Sequence, residues 1–176
     1  MRETMSRTRQ VGLLGPVVLL LSVLVTPGCM AGGSIHSQVL DAQTNQPIPG
    51  AIVLGVWTKK VGFPGLDWSE LVGVREAEVD AEGHFTLERP SASYGEESVT
   101  IYKFGYVAWN NQFVFPSFGR RPKDDIPPQV RLDAFPPGRK HQEHMGFIRM
   151  AVSSRAFGSP GYEKLRNAFD REQQMP

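Results

Sequence analysis

From Ile35 to about Phe135 the chain consists of short apolar or alternating runs: "SIHSQVL", "AIVLGVW", "GVREAEV", "HFTLE", "SVTIYKF", "YVAWN", "QFVF" and "QVRLDA". Val, Ile, Thr and aromatic residues dominate them, as a pleated, half-buried surface favours. Turn chemistry separates the runs. "DAQTNQPIPG" supplies Asp, Asn, two prolines and a glycine, and "DAEG" at 80–83 has the Asp and Gly that a type I turn prefers. Asn110-Asn111 is placed to close a tight hairpin. Segments 58–73 and 116–129 show no period-2 alternation and predict two long loops. Several short strands at this spacing predict a mainly β fold, a sandwich or a barrel.

The period changes after residue 136. Met145, Ile148 and Val152 recur at helical spacing, and Ser159 and Pro160 are a candidate cap and first turn for a second helix carrying Tyr162, Leu165 and Phe169. A pair of amphipathic helices at the C-terminus is predicted to pack on the β domain or on each other.

Upstream of the strands, Val11–Val25 is a run of fifteen residues without a charge, preceded by Arg2, Arg7 and Arg9 and followed by Thr26, Pro27, Gly28 and Cys29. A helix needs about 20 apolar residues to cross a bilayer, whereas a secretory signal needs about 7–15. The segment therefore reads as a signal peptide over 1–28. Cys29 is the only cysteine of the 176 residues, so no internal disulfide forms. Its setting resembles a bacterial lipoprotein lipobox, although Thr26 stands where leucine is usual. The resemblance implies a diacylated Cys29, a tether over 29–34 and a membrane partner reached through the lipid. Met30 after the cysteine implies the outer membrane of the cell envelope.

Composition fits one domain, here 35–135, with a helical tail over 136–176: 40% of residues are hydrophobic and 21% charged. The net charge of +1 becomes −1 from residue 29 onward, which gives no sign bias toward nucleic acid.

Three stretches in order, "IHSQVLDAQTNQPIPGAIVLGVW", "AEVDAEGHFTL" and "VTIYKFGYVAW", resemble carboxypeptidase regulatory-like domains, the transthyretin-like or prealbumin-like sandwich. The matching positions are Asp41, Thr44, Pro47, Ile48, Gly50 and Ala51, then Asp80, Gly83 and Phe85, then Gly105 and Tyr106. The resemblance implies a Greek-key β-sandwich acting as an attachment, spacer or binding module. A hydrolase branch of the same superfamily carries a C-terminal Tyr-Arg-Gly-Ser motif that "DREQQMP" does not match.

Candidate chemistry is sparse. His141 and His144 with Glu143 form "HQEH", two histidines three apart with no third ligand supplied by a motif; the expectation is a solvated helix start and no metal. Glu76, Glu78, Asp80 and Glu82 recur every second residue and are expected to form a solvent-facing row. No G-x-S-x-G elbow is present, and no catalytic residue or cofactor is assigned. Trp57, Trp109, Phe113 and Phe115 are expected in the core. Trp68 and Phe118 are the candidate surface aromatics for binding an envelope protein, a peptide or a glycan. A non-catalytic envelope lipoprotein is the expectation, with a carbohydrate- or peptide-binding module and a small hydrolase as alternatives.

Overall fold

The computed structural model describes residues 32–122 and 125–173; the predicted signal segment and Cys29 lie outside them. Among the described residues nine strands and two α-helices follow in order, with a short 3-10 turn at Ser154–Ala156 between the helices: β1 (Ser34–Asp41), β2 (Ile52–Val61), β3 (Trp68–Glu78), β4 (His84–Glu88), β5 (Glu96–Tyr102), β6 (Trp109–Asn110), β7 (Phe113–Val114), β8 (Gly119–Arg120), β9 (Gln129–Leu132), α1 (His141–Ala151) and α2 (Glu163–Gln173). The fold is mainly β, as the short apolar runs predict. A three-stranded sheet has the order β4-β1-β9, with β1 antiparallel to β4 and parallel to β9. A four-stranded sheet has the order β3-β2-β5-β6, and β7-β8 form a small ribbon.

Two apolar cores divide the molecule into three layers. Ile35, Val39, Phe85, Leu87, Val130 and Leu132 of the small sheet meet Val53, Trp57, Val99 and Ile101 of the large one. On the other face of the large sheet, Leu54, Val56, Val74 and Tyr102 meet Phe147, Ile148, Leu165 and Phe169 of the helices. β2 is thus covered on both sides, which is why "AIVLGVW" is almost continuously apolar instead of alternating. Gly55 lies within that run because a Cβ there would stand 2.4 Å from the Trp57 ring and 2.8 Å from Leu87. The small sheet is covered on one face only. His36, Gln38, His84 and Thr86 alternate onto its solvent side, where the His36 ring meets the Thr86 hydroxyl at 3.0 Å.

Several expectations are corrected. Segment 58–73 is not a long loop: β2 continues to Val61 and β3 starts at Trp68, leaving only residues 62–67 as a turn. Lys59–Val61 and Trp68–Glu70 pair beyond the start of β5, where the ribbon is largely solvated and no alternation is required. Segment 116–129 likewise contains β8 and the first residue of β9. Asn110 and Asn111 do not form an exposed tight turn but are buried at the edge of the large sheet. The Asn110 side-chain amide donates to Val99 O and Thr100 Oγ1, and Asn111 Oδ1 accepts the Val99 N–H at 2.8 Å.

The helical stripes are as predicted: Met145, Ile148 and Val152, then Tyr162, Leu165 and Phe169, are all buried. The start of α2 is not capped by Ser159, whose hydroxyl donates to Arg155 O. Instead the Glu76 carboxylate, reaching over from β3, accepts the Lys164 N–H at 2.9 Å and the Leu165 N–H at 2.8 Å, and Glu78 pairs with Lys164 at 3.1 Å. The acidic row is therefore not simply solvated. Two of its members hold the second helix, placing a carboxylate where free N–H groups and the helix dipole favour one.

Candidate functional site

Where β5 and the two helices meet, four polar side chains converge in an otherwise apolar layer. Tyr102 is the last residue of β5 and faces the helices. Glu172 continues the buried stripe Leu165, Ala168, Phe169 of α2 at helical spacing and is 4% exposed. His141 opens α1, and His144 lies one turn later on the same face.

Their hydrogen bonds are specific. The Tyr102 hydroxyl donates to Glu172 Oε2, and His141 Nδ1 lies 2.6 Å from Glu172 Oε1. His144 is 1% exposed, and its Nε2 accepts the Ala108 N–H at 2.8 Å. That bond assigns the His144 proton to Nδ1. Nδ1 stands 3.8 Å from Glu172 Oε1, too long for a hydrogen bond, and among the described residues it is the one buried side-chain nitrogen or oxygen without such a partner.

Burial by itself would raise the Glu172 pKa, but the neighbouring His144 ring and the bonds from Tyr102 and His141 outweigh it and hold the carboxyl down to about 2. The carboxylate is ionised throughout the physiological range. Tyr102 responds in the opposite sense: burial and the bond to Glu172 push its hydroxyl far above the usual range, so it remains a donor.

Aromatic rings fix the imidazoles. His141 stacks on Phe135 at 4.6 Å and on Phe104 at 6.0 Å, with interplanar angles of 21° and 11°. Phe115 meets His144 edge-on at 5.3 Å. With Nδ1 turned to the carboxylate, the remaining nitrogen of the half-exposed His141 ring is its Nε2.

Glu172 separates two concavities. One, of about 270 Å³, is mostly apolar and lined by Ile52, Phe104 and Ala168, with Lys103 and Arg171 as its cations. The other, of about 590 Å³, is lined by His141, Gln142, Arg149 and Gln173. A general base oriented by a carboxylate, or a hydrogen-bonding subsite for a small polar ligand, is the chemistry this geometry offers. Among the described residues no group of three His, Cys, Asp or Glu side chains is disposed to hold a metal ion.

The sequence-derived candidates fall elsewhere. Trp68, the first residue of β3, is 59% exposed and pairs with Val61 at the end of the β2–β3 ribbon. Phe118 is 43% exposed in the β7–β8 turn, with its ring 5.7 Å from Phe147. Neither lines the two concavities beside Glu172, and Cys29 lies outside the described residues. "HQEH" is not a solvated helix start, because His144 is buried and His141 is clamped between rings. His36 and His84 lie on the far face of the small sheet, so two of the four histidines converge and two do not.

Sequence reasoning passed over Tyr102 and Glu172. The available signal was a carboxylate three residues beyond Phe169 and seven beyond Leu165, on the face that must be buried.

No family model, no curated protein and no solved structure matches this chain.

Proposed function

We propose that the protein is a non-catalytic lipoprotein of the bacterial cell envelope, anchored through an acylated Cys29 and presenting a transthyretin-like sandwich as a binding or scaffolding module. The anchor rests on the sequence around Cys29, and the domain assignment on the three stretches that resemble carboxypeptidase regulatory-like domains. One observation carries the binding part: the apolar concavity beside Glu172, with Phe104 in its wall and the cations Lys103 and Arg171 in its lining. Such a site suits a small ligand with an apolar body and an anionic end. The module would face the periplasm or the cell surface from the outer membrane. Trp68 and Phe118 remain candidate contacts for an envelope protein or glycan.

Fractionation of a bacterial host tests the anchor. The wild-type chain is expected in the membrane fraction and a Cys29→Ala variant outside it or in its uncleaved form; identical membrane retention of a processed Cys29→Ala chain would refute the reading.

A second reading, a small hydrolase, is favoured by one feature, the His141–Glu172 pair at 2.6 Å. His141 Nε2 would then activate water in the 590 Å³ concavity. That reading expects hydrolysis of small activated esters to fall at least about 100-fold in His141→Gln, the lower end of what a positioned general base contributes. Equal rates in both proteins would remove it.

A further inference from the structure

The β2–β3 ribbon ends in a turn that displays apolar side chains. Phe63 and Leu66 are each 66% exposed and Trp68 is 59% exposed. The turn is ordered by its own chemistry: Leu66 N–H donates to Phe63 O at 2.8 Å, Pro64 occupies the second position, and Gly65 the third at φ +90°. These are the requirements of a type II turn. Gly62, at φ +107°, completes the reversal, because a Cβ there would lie 2.4 Å from Leu66 O and 3.2 Å from the Trp68 ring. Three large apolar groups are thus held outward on a preformed corner, where a solvent-facing turn ordinarily carries polar residues.

The position of this corner matters as much as its composition. β5 begins at Glu96, opposite Thr58, so the ribbon from Lys59 to Glu70 projects past the large sheet, by about 10 Å before the turn itself at roughly 3.3 Å per residue. The N-terminal tether enters at the same end. Gly33 O accepts the Arg89 N–H, Gly32 abuts Pro90, and Pro90 faces Gly73, which is paired with Trp57 two ladder positions before the ribbon. Arg89 and Trp57 both bond Glu97, which ties this end together. Cys29 lies three residues before Gly32, a reach of only about 10 Å.

We propose that the Phe63–Trp68 corner is a second membrane contact, inserting Phe63, Leu66 and Trp68 into the interfacial region of the bilayer that holds the Cys29 lipid. The proposal rests on the lipid-anchor reading given above. A short tether leaving the same end of the sandwich brings the corner to the bilayer surface, and tryptophan with flanking apolar residues is the composition that interface prefers. Because the turn is already formed before it inserts, little backbone ordering opposes insertion. Lys59 and Lys60 are balanced by Asp67 and Glu70, with Lys59 and Glu70 paired at 3.3 Å. Insertion is therefore driven by apolar area and is insensitive to salt and to anionic lipid.

The test uses full-length protein extracted from the membranes of a bacterial host and reconstituted into phosphatidylcholine vesicles with brominated acyl chains. Trp57 and Trp109 are buried, so Trp68 supplies the accessible emission. The expected result is quenching of that emission by the bromolipid at low and high salt, its loss in Trp68→Phe, and its loss in a Phe63→Asp/Leu66→Asp variant that stays vesicle-bound. Quenching by aqueous iodide instead, in a protein whose intact mass shows an acylated Cys29, would overturn the second contact and leave the anchor standing. A protein without acyl mass that does not float with the vesicles would overturn the anchor, and the proposal with it. Binding of the corner to a protein or glycan partner would appear as the iodide-quenched outcome.

Discussion

Glu172 links three elements, since its two oxygens take bonds from Tyr102 on β5 and His141 on α1 while its own backbone belongs to α2. Glu172→Gln preserves the volume but turns an N–H donor toward one of two donors, so unfolding free energy at neutral pH is expected to fall by about 1–3 kcal/mol. The pH response carries a sign. A folded-state pKa of about 2 lies below the ordinary carboxylate value, so between them the unfolded chain binds more protons. Glu172 therefore contributes stability above about pH 5 that is lost as pH falls toward 2, on the order of 3 kcal/mol. Urea titrations of both proteins at several pH values check this: the wild-type advantage is expected to shrink through that window, and a constant difference would contradict the assignment. Little of this was legible in the sequence. The helical stripe placed Leu165 and Phe169 inside, but a glutamate on the same stripe has a buried role only when partners from β5 and α1 arrive, and those contacts are long-range.

At the scale of elements, the clearest dependence is that of α2 on β3. Glu76 accepts two N–H groups of the first turn of α2, and removing it leaves both without their partner. Glu76→Ala is expected to cost about 1–2 kcal/mol and to accelerate amide hydrogen exchange in α2 while leaving the β2–β5 ladder protected. Unchanged protection of α2 would show that its start is held by other groups. The strands themselves were legible, because apolar runs bounded by Gly, Pro and Asn need no tertiary information to be recognised. The ribbon over 58–73 was not, since its outer half covers no core and so carries no period-2 signature. Asn110 and Asn111 misled for the reverse reason: their turn propensity is real, but their side chains satisfy the edge of the large sheet instead of solvent.

At the scale of the molecule, two cores share one sheet, and the polar network and its concavities lie between that sheet and the helices. Gly32 and Gly33, which lead into β1, and the apolar corner sit together at one end of the sandwich. The sequence was informative about class because layering is encoded in periodicity, and uninformative about the site because Tyr102, His141, His144 and Glu172 come together only through the three-layer packing. The proposed anchoring of this assembly through Cys29 governs where both faces would meet their partners. Intact mass of the membrane-extracted protein tests it most directly. The expected species is a chain beginning at Cys29 with added acyl mass; an unmodified Cys29 thiol, or cleavage beyond Cys29, would refute the anchor.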